Sequence, residues 1–209
     1  MMACQILSLL SLIELIQLCE ANGLLDWFGF GTNEGMTARP LKQTNDSLEA
    51  TCILDGTGVG NIISTLHLRE VGGKLFIDGV IYGLPHDEAP NLHGFHIHEH
   101  GKVGSRCLDA GGHFNPRGTQ HGGPKDKIRH IGDLGNVQSN HGKIYVNVQD
   151  TQASLSGKYS VLGKAIVLHA KRDDLGRGET KDSLRTGNAG SRLACCVIKL
   201  NDWKTYSFN

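Results

Sequence analysis

"IISTLHLREVGGKLFIDGVIYGL", residues 62–84, decides the fold. Apolar and polar residues alternate through most of it, and Gly72-Gly73 interrupts the alternation at its centre. A period of two sends successive side chains to opposite faces. Two glycines in a row accept the positive φ of a tight hairpin turn. The stretch therefore predicts two antiparallel strands. Similar short runs lie on both sides: "ATCILDG" (50–56), "KIYVNVQD" (143–150), "LGKAIVLHA" (162–170) and "RLACCVIKL" (192–200). In "KIYVNVQD", Ile144, Val146 and Val148 share one face, and Tyr145 and Asn147 the other. After residue 20 no segment carries a long 3.6-residue period. The fold class is all-β, an antiparallel sandwich or barrel.

A chain of 209 residues allows one domain plus extensions at its ends. With 39% hydrophobic residues and 28 glycines it is turn-rich and globular. A formal net charge of zero gives no support to a nucleic-acid partner. The N-terminus differs from the rest. "ILSLLSLIELIQL" (6–18) is apolar, with only the charge of Glu14 to interrupt it, and "CEA" follows at 19–21. It is too short for a stable membrane span and suits a signal peptide, although no Lys or Arg precedes it. An amphipathic helix or uncleaved anchor is the alternative. The expected organisation is a signal at 1–21, an arm or linker at 22–48, one domain at 49–200 and an extension at 201–209. Secretion would make Asn45, in "NDS", a glycosylation acceptor. It would also allow disulfides among Cys52, Cys107, Cys195 and Cys196, whose pairing an even count does not assign.

Two stretches break the strand pattern: 101–142, rich in Gly, His, Pro and Asn, and the polar 171–191. Loops this long in a compact domain are often functional. "HGFHIHEHG" (93–101) leads into the first and holds four histidines. His96 and His98, two apart on a strand, point the same way and form a good pair of metal ligands. The loop then supplies His113, His121, His130 and Asp133, spaced His-x7-His-x8-His-x2-Asp. Three imidazoles and a carboxylate make the closed tetrahedral set that zinc prefers in structural sites.

Taken together, "GFHIHEHG", "GGHFNP", "HGGPKD", "RHIGDLGN", "LSG", "VLHAKRDDLG" and "TGNAGSRLAC" resemble the copper/zinc superoxide dismutases, in that family's order and at similar spacings over about residues 49–199. The resemblance implies an eight-stranded Greek-key β-barrel of immunoglobulin-like sandwich architecture. It implies copper and zinc as cofactors. Copper would be held by His96, His98, His113 and His169, and zinc by His113, His121, His130 and Asp133, with His113 bridging. A four-imidazole set suits copper and can leave an axial face open. Asp173 matches a carboxylate outside both metals, expected to bridge His98 and His121. His93 matches a histidine that hydrogen-bonds behind the site.

The implied reaction takes two superoxide anions to dioxygen and hydrogen peroxide by Cu(II)/Cu(I) cycling, with His113 delivering a proton. Arg192 matches the arginine that receives the anion, and Lys181 and Arg185 alter the charge pattern of the entrance loop. Cys107 and Cys195 match the family's intrachain disulfide. Cys52 reads as a small core residue. Cys196 stands where the family has mostly glycine and reads as an unpaired thiol or an inter-subunit partner. The family is usually dimeric, which implies a homodimer, or a tetramer built by the N-terminal arm. His100 departs from the family pattern and is expected to turn towards the subunit interface. Alternatives are a non-catalytic copper/zinc-binding or copper-chaperone-like relative, a zinc hydrolytic enzyme and an extracellular metal buffer. The four copper-type histidines and Arg192 weigh against the first. The 113–133 loop weighs against the second. Metal stoichiometry and a superoxide assay separate the third.

Overall fold

The computed structural model describes residues 47–56, 61–86 and 89–201. The proposed signal, most of the arm with Asn45, and all but Asn201 of the C-terminal extension lie outside them.

Eight strands form one closed antiparallel barrel: β1 (Leu48–Asp55), β2 (Ile63–Val71), β3 (Lys74–Tyr82), β4 (Asn91–His98), β5 (Asp133–Asn140), β6 (Lys143–Asp150), β7 (Ala165–His169) and β8 (Arg192–Leu200). Their order around the barrel is β1-β2-β3-β6-β5-β4-β7-β8, and β8 closes on β1. The hairpin that opened the sequence reading is β2–β3, turning at Gly72-Gly73 with φ of +58° and +72°. Its alternation has a simple cause. Leu66, Leu68, Leu75 and Ile77 face the core, where they meet Ile144 and Val146 of β6, while their neighbours face water. Burying a side chain of that kind stabilises the fold by about 1.5–3 kcal/mol.

Alternation fails in β4 and β7. From His93 to His98 every residue of β4 is buried, and so is all of β7. One face carries core residues such as Phe95, Ile97, Ile166 and Leu168. The other is covered by the two long loops, and that covered face bears the histidines.

Two disulfides fasten the barrel. Cys107–Cys195 ties the 3-10 segment Ser105–Ala110 to β8, as the resemblance implied. The second corrects the sequence reading: Cys196 is neither unpaired nor turned to another subunit, but bonded to Cys52 within the chain. Both side chains face inward, on strands that pair only as far as Cys52↔Ile198. Beyond that point Cys196 lies diagonally across from Cys52, with a Cα–Cα separation of 5.4 Å. A separation of 144 residues hid this closeness from the sequence. Among the described residues no helix is long and apolar enough to cross a membrane.

Candidate metal centre

Two groups of side chains converge on the covered face of β4. His96, His98, His113 and His169 form one, and His113, His121, His130 and Asp133 the other. All seven residues are buried, and within each group the candidate ligand atoms lie within 4.8 Å of one another. The barrel supplies His96 and His98 from β4, His169 from the end of β7 and Asp133 from the start of β5. The first long loop supplies His113, His121 and His130. It is pinned to the barrel by a cycle of backbone bonds, in which Phe114 N–H donates to Ile97 O, Ile97 N–H to Gly132 O and Gly132 N–H to Phe114 O.

The hydrogen bonds sort the ring nitrogens. His96 Nε2 meets Asp173 Oδ2 at 2.9 Å. His98 Nδ1 donates to Gly111 O at 2.9 Å and His169 Nδ1 to Gly190 O at 3.3 Å. His121 Nε2 meets Asp173 Oδ1 at 2.8 Å and His130 Nε2 donates to Thr119 O at 3.1 Å. Each of these histidines spends one nitrogen on the scaffold and turns the other inward. His113 differs. Its Nδ1 meets Asp133 Oδ1 at 2.8 Å, inside the second group, and its Nε2, facing the first, has no hydrogen-bond partner. His96 Nδ1 is likewise buried without a partner. Buried polar atoms left unpaired cost free energy, and a cation at the centre of each group satisfies them. Three imidazoles and a carboxylate suit zinc, and four imidazoles suit copper, so the residues fit both metals.

Burial and mutual proximity set the charge states. Burial, reinforced by His113, pulls His96 and His98 well below the ordinary imidazole range. Burial also lowers His113, and brings His169 down to about 4. Burial opposes a charge on His121 too, but its hydrogen bonds to Asp133 and Asp173 outweigh it and raise the ring to about 9. Burial would push Asp133 up, yet bonds from His113, His121 and His130 hold it below the usual carboxylate range. Asp173 is held down in the same way by His121 and His96. The four copper-type rings are thus neutral and both carboxylates ionised, as metals require, while His121 must release a proton to bind one.

Asp173 bridges the groups, but between His96 and His121, not His98 and His121 as expected. His98, at the end of β4, turns its Nδ1 the other way, to Gly111 O. Asn136 grips the Asp173 backbone at both its N–H and its carbonyl. Gly187 passes so close that a Cβ there would lie 1.8 Å from Asp173 Oδ1, and its φ of +66° is also one glycine accepts freely. Behind the site His93 bonds to His169 O and Ser139 Oγ, as a buttress should. Arg192, paired with His169 in the β7–β8 ladder, donates to the carbonyls of Cys107, Leu108 and Gly111. Gly111 O thus receives both Arg192 and His98. A cavity of about 250 Å³ opens onto His98, His113 and His169 and is rimmed by Asp182, Arg185, Thr186 and Asn188. Arg185 is paired with Asp182 at 2.9 Å, while Lys181 is exposed and lies outside that lining. His100 is exposed too, 3.5 Å from Glu99.

Sequence reasoning missed Arg129. It is buried, donates to His130 O at 3.2 Å and Asp133 O at 3.0 Å, and pairs with Asp150. Asp150 in turn accepts from the backbone N–H groups of Gln152 and Ala153. Arg129 therefore fixes the backbone of two residues of the second group. Its place beside His130 was visible, but only the barrel brings Asp150 to it.

A family model described as copper/zinc superoxide dismutase (SODC) matches residues 62–198, most of the barrel and both metal groups. The chain belongs to the copper/zinc superoxide dismutase family. As a member it is an oxidoreductase, a superoxide dismutase with copper and zinc as its cofactors. It is 51% identical over 138 residues to an extracellular copper/zinc superoxide dismutase of Caenorhabditis elegans, covering 66% of this chain and 61% of that one. It is 46% identical over 155 residues to copper/zinc superoxide dismutase 5 of Dictyostelium discoideum, covering 74% of this chain and 99% of the relative. Among solved structures, the clock protein EA4 superposes with a TM-score of 0.67 at 41% identity, over 73% of this chain and 94% of that one. The Greek-key barrel expected of the copper/zinc superoxide dismutases is the fold observed.

Proposed function

We propose that this chain disproportionates superoxide with His96, His98, His113 and His169 around copper, and His113, His121, His130 and Asp133 around zinc. The observation that carries the reading is the pair of free commitments on His113, one nitrogen in each group and neither spent on the scaffold. When bound, copper supplies the one-electron couple that oxidises one superoxide and reduces the next, and zinc supplies fixed positive charge. The chain does the rest. His113 carries a proton at Nε2 towards the open cavity, where the product needs it. Its Nδ1 lies beside Asp133 in the second group, which fixes the way the ring faces. Asp173 fixes the rings of His96 and His121 through their outer nitrogens. Arg192, always charged and clamped by three carbonyls, offers a fixed cation to an incoming anion.

We further propose that the protein is secreted after loss of residues 1–21 and works as a homodimer outside the cell. Two disulfides and relatives named extracellular in C. elegans and Haemonchus contortus support secretion. The test of the catalytic assignment is selective metal removal. Stripping copper while zinc is retained should abolish superoxide decay above background, and copper alone should restore it. Activity that survives copper removal, or that follows zinc alone, would overturn the assignment.

A further inference from the structure

We propose that His86 and His141 form an exposed two-imidazole site for a divalent transition-metal ion, copper(II) best of all, separate from the buried centre. Their ring centroids lie 5.1 Å apart with 43° between the planes. Histidine pairs within the buried cluster span 4.1 to 6.1 Å. The surface pair thus sits at the spacing this same molecule uses for rings grouped around a metal position.

The backbone sets that spacing. His141-Gly142 is the two-residue turn between β5 and β6, with φ of +50° and +73°. Asn-Gly is the usual choice for such a turn, and a histidine with positive φ is uncommon. Gly142 packs so closely on the segment before β4 that a Cβ would lie 2.9 Å from Leu84 O. His86 follows two residues after Leu84, so the turn and this segment hold the two rings together. Lys143, next to the turn, has its ammonium over the Tyr82 ring at 5.6 Å. Both histidines are exposed, which leaves the remaining coordination positions to water. Among the described residues the other exposed histidines, His67 and His100, have no second imidazole in ring contact. All of β5 lies between Asp133 and His141, so the new site is roughly 25 Å from the zinc-type group. Imidazole nitrogen ligands favour copper(II) over the other first-row divalent ions.

The test is copper(II) titration of the fully metallated protein, followed by metal analysis after gel filtration and by the copper(II) spectrum. His86→Gln and His141→Asn should each bind one equivalent fewer than wild type, with at least a tenfold weaker apparent affinity for that equivalent. His141→Asn restores the favoured turn and should fold normally, and neither change should alter superoxide decay. His67→Gln should bind as wild type does. The proposal is overturned if either His86→Gln or His141→Asn keeps the full wild-type complement, or if His67→Gln loses the same equivalent.

Discussion

The two halves of the metal centre are built in opposite ways. The zinc-type group is nearly local: His113, His121, His130 and Asp133 fall within one loop and the first residue of β5. The copper-type group is assembled from a distance, with His96 and His98 on β4, His169 on β7 and His113 from the loop. A local set depends on the loop's own turns and on Arg129 beneath it. A distributed set depends on the barrel being closed. His113 belongs to both, so the halves should be separable everywhere except there.

The largest effect should come from His113→Ala. It removes the shared ring, so superoxide decay should slow by about 100-fold or more, and metal analysis should show both metals bound more weakly. Asp173→Asn comes next. It releases His96 on one side and His121 on the other, and affinity for each metal should fall by about 10- to 100-fold. A loss confined to zinc would break the comparison. Arg192→Ala should slow the reaction by about tenfold at low salt while copper and zinc contents stay at wild-type levels, and the salt dependence of the rate should flatten. An unchanged rate at low salt would remove Arg192 from the proposed role.

Smaller effects should appear in stability. Removing the Cys52–Cys196 bridge, by Cys52→Ala with Cys196→Ala, should cost about 2–5 kcal/mol in denaturant unfolding. The strand pair it closes lies beside β7, so weakened copper affinity with normal zinc affinity is expected. In the metal-free protein the four copper-type histidines have depressed values, His169 at about 4. Their contribution is full above the unfolded value of about 6.5 and is lost as pH falls towards 4. His121, raised to about 9, contributes fully below 6.5 and loses that contribution as pH rises to 9. Unfolding across pH should therefore show a steeper loss of stability on the acid side than on the alkaline side.

The same division explains what the sequence disclosed. The spacing of His113, His121, His130 and Asp133 could be read as zinc ligands without any fold, because the loop carries all four. His96 and His98 could be read from strand parity alone, but His169 entered only through family resemblance, since nothing local joins it to β4. Alternation exposed β2, β3 and β6, whose outer faces meet water. It is absent from β4 and β7, whose outer faces lie under loops, so β7 read only as an apolar strand-like run and β4 only through the parity of His96 and His98. Partners fixed by tertiary register were missed or misplaced: Arg129 with Asp150, Cys52 with Cys196, and Asp173 with His96. Each joins residues that only barrel closure brings together.

The central claim is that one imidazole serves both metals. It is tested most directly by filling both groups with copper(II) and recording the electron paramagnetic resonance signal against copper content. A shared His113 ring couples the two ions, so the signal should fall well below that of the same amount of isolated copper(II). Full, additive intensity from two independent ions at full occupancy would contradict the account.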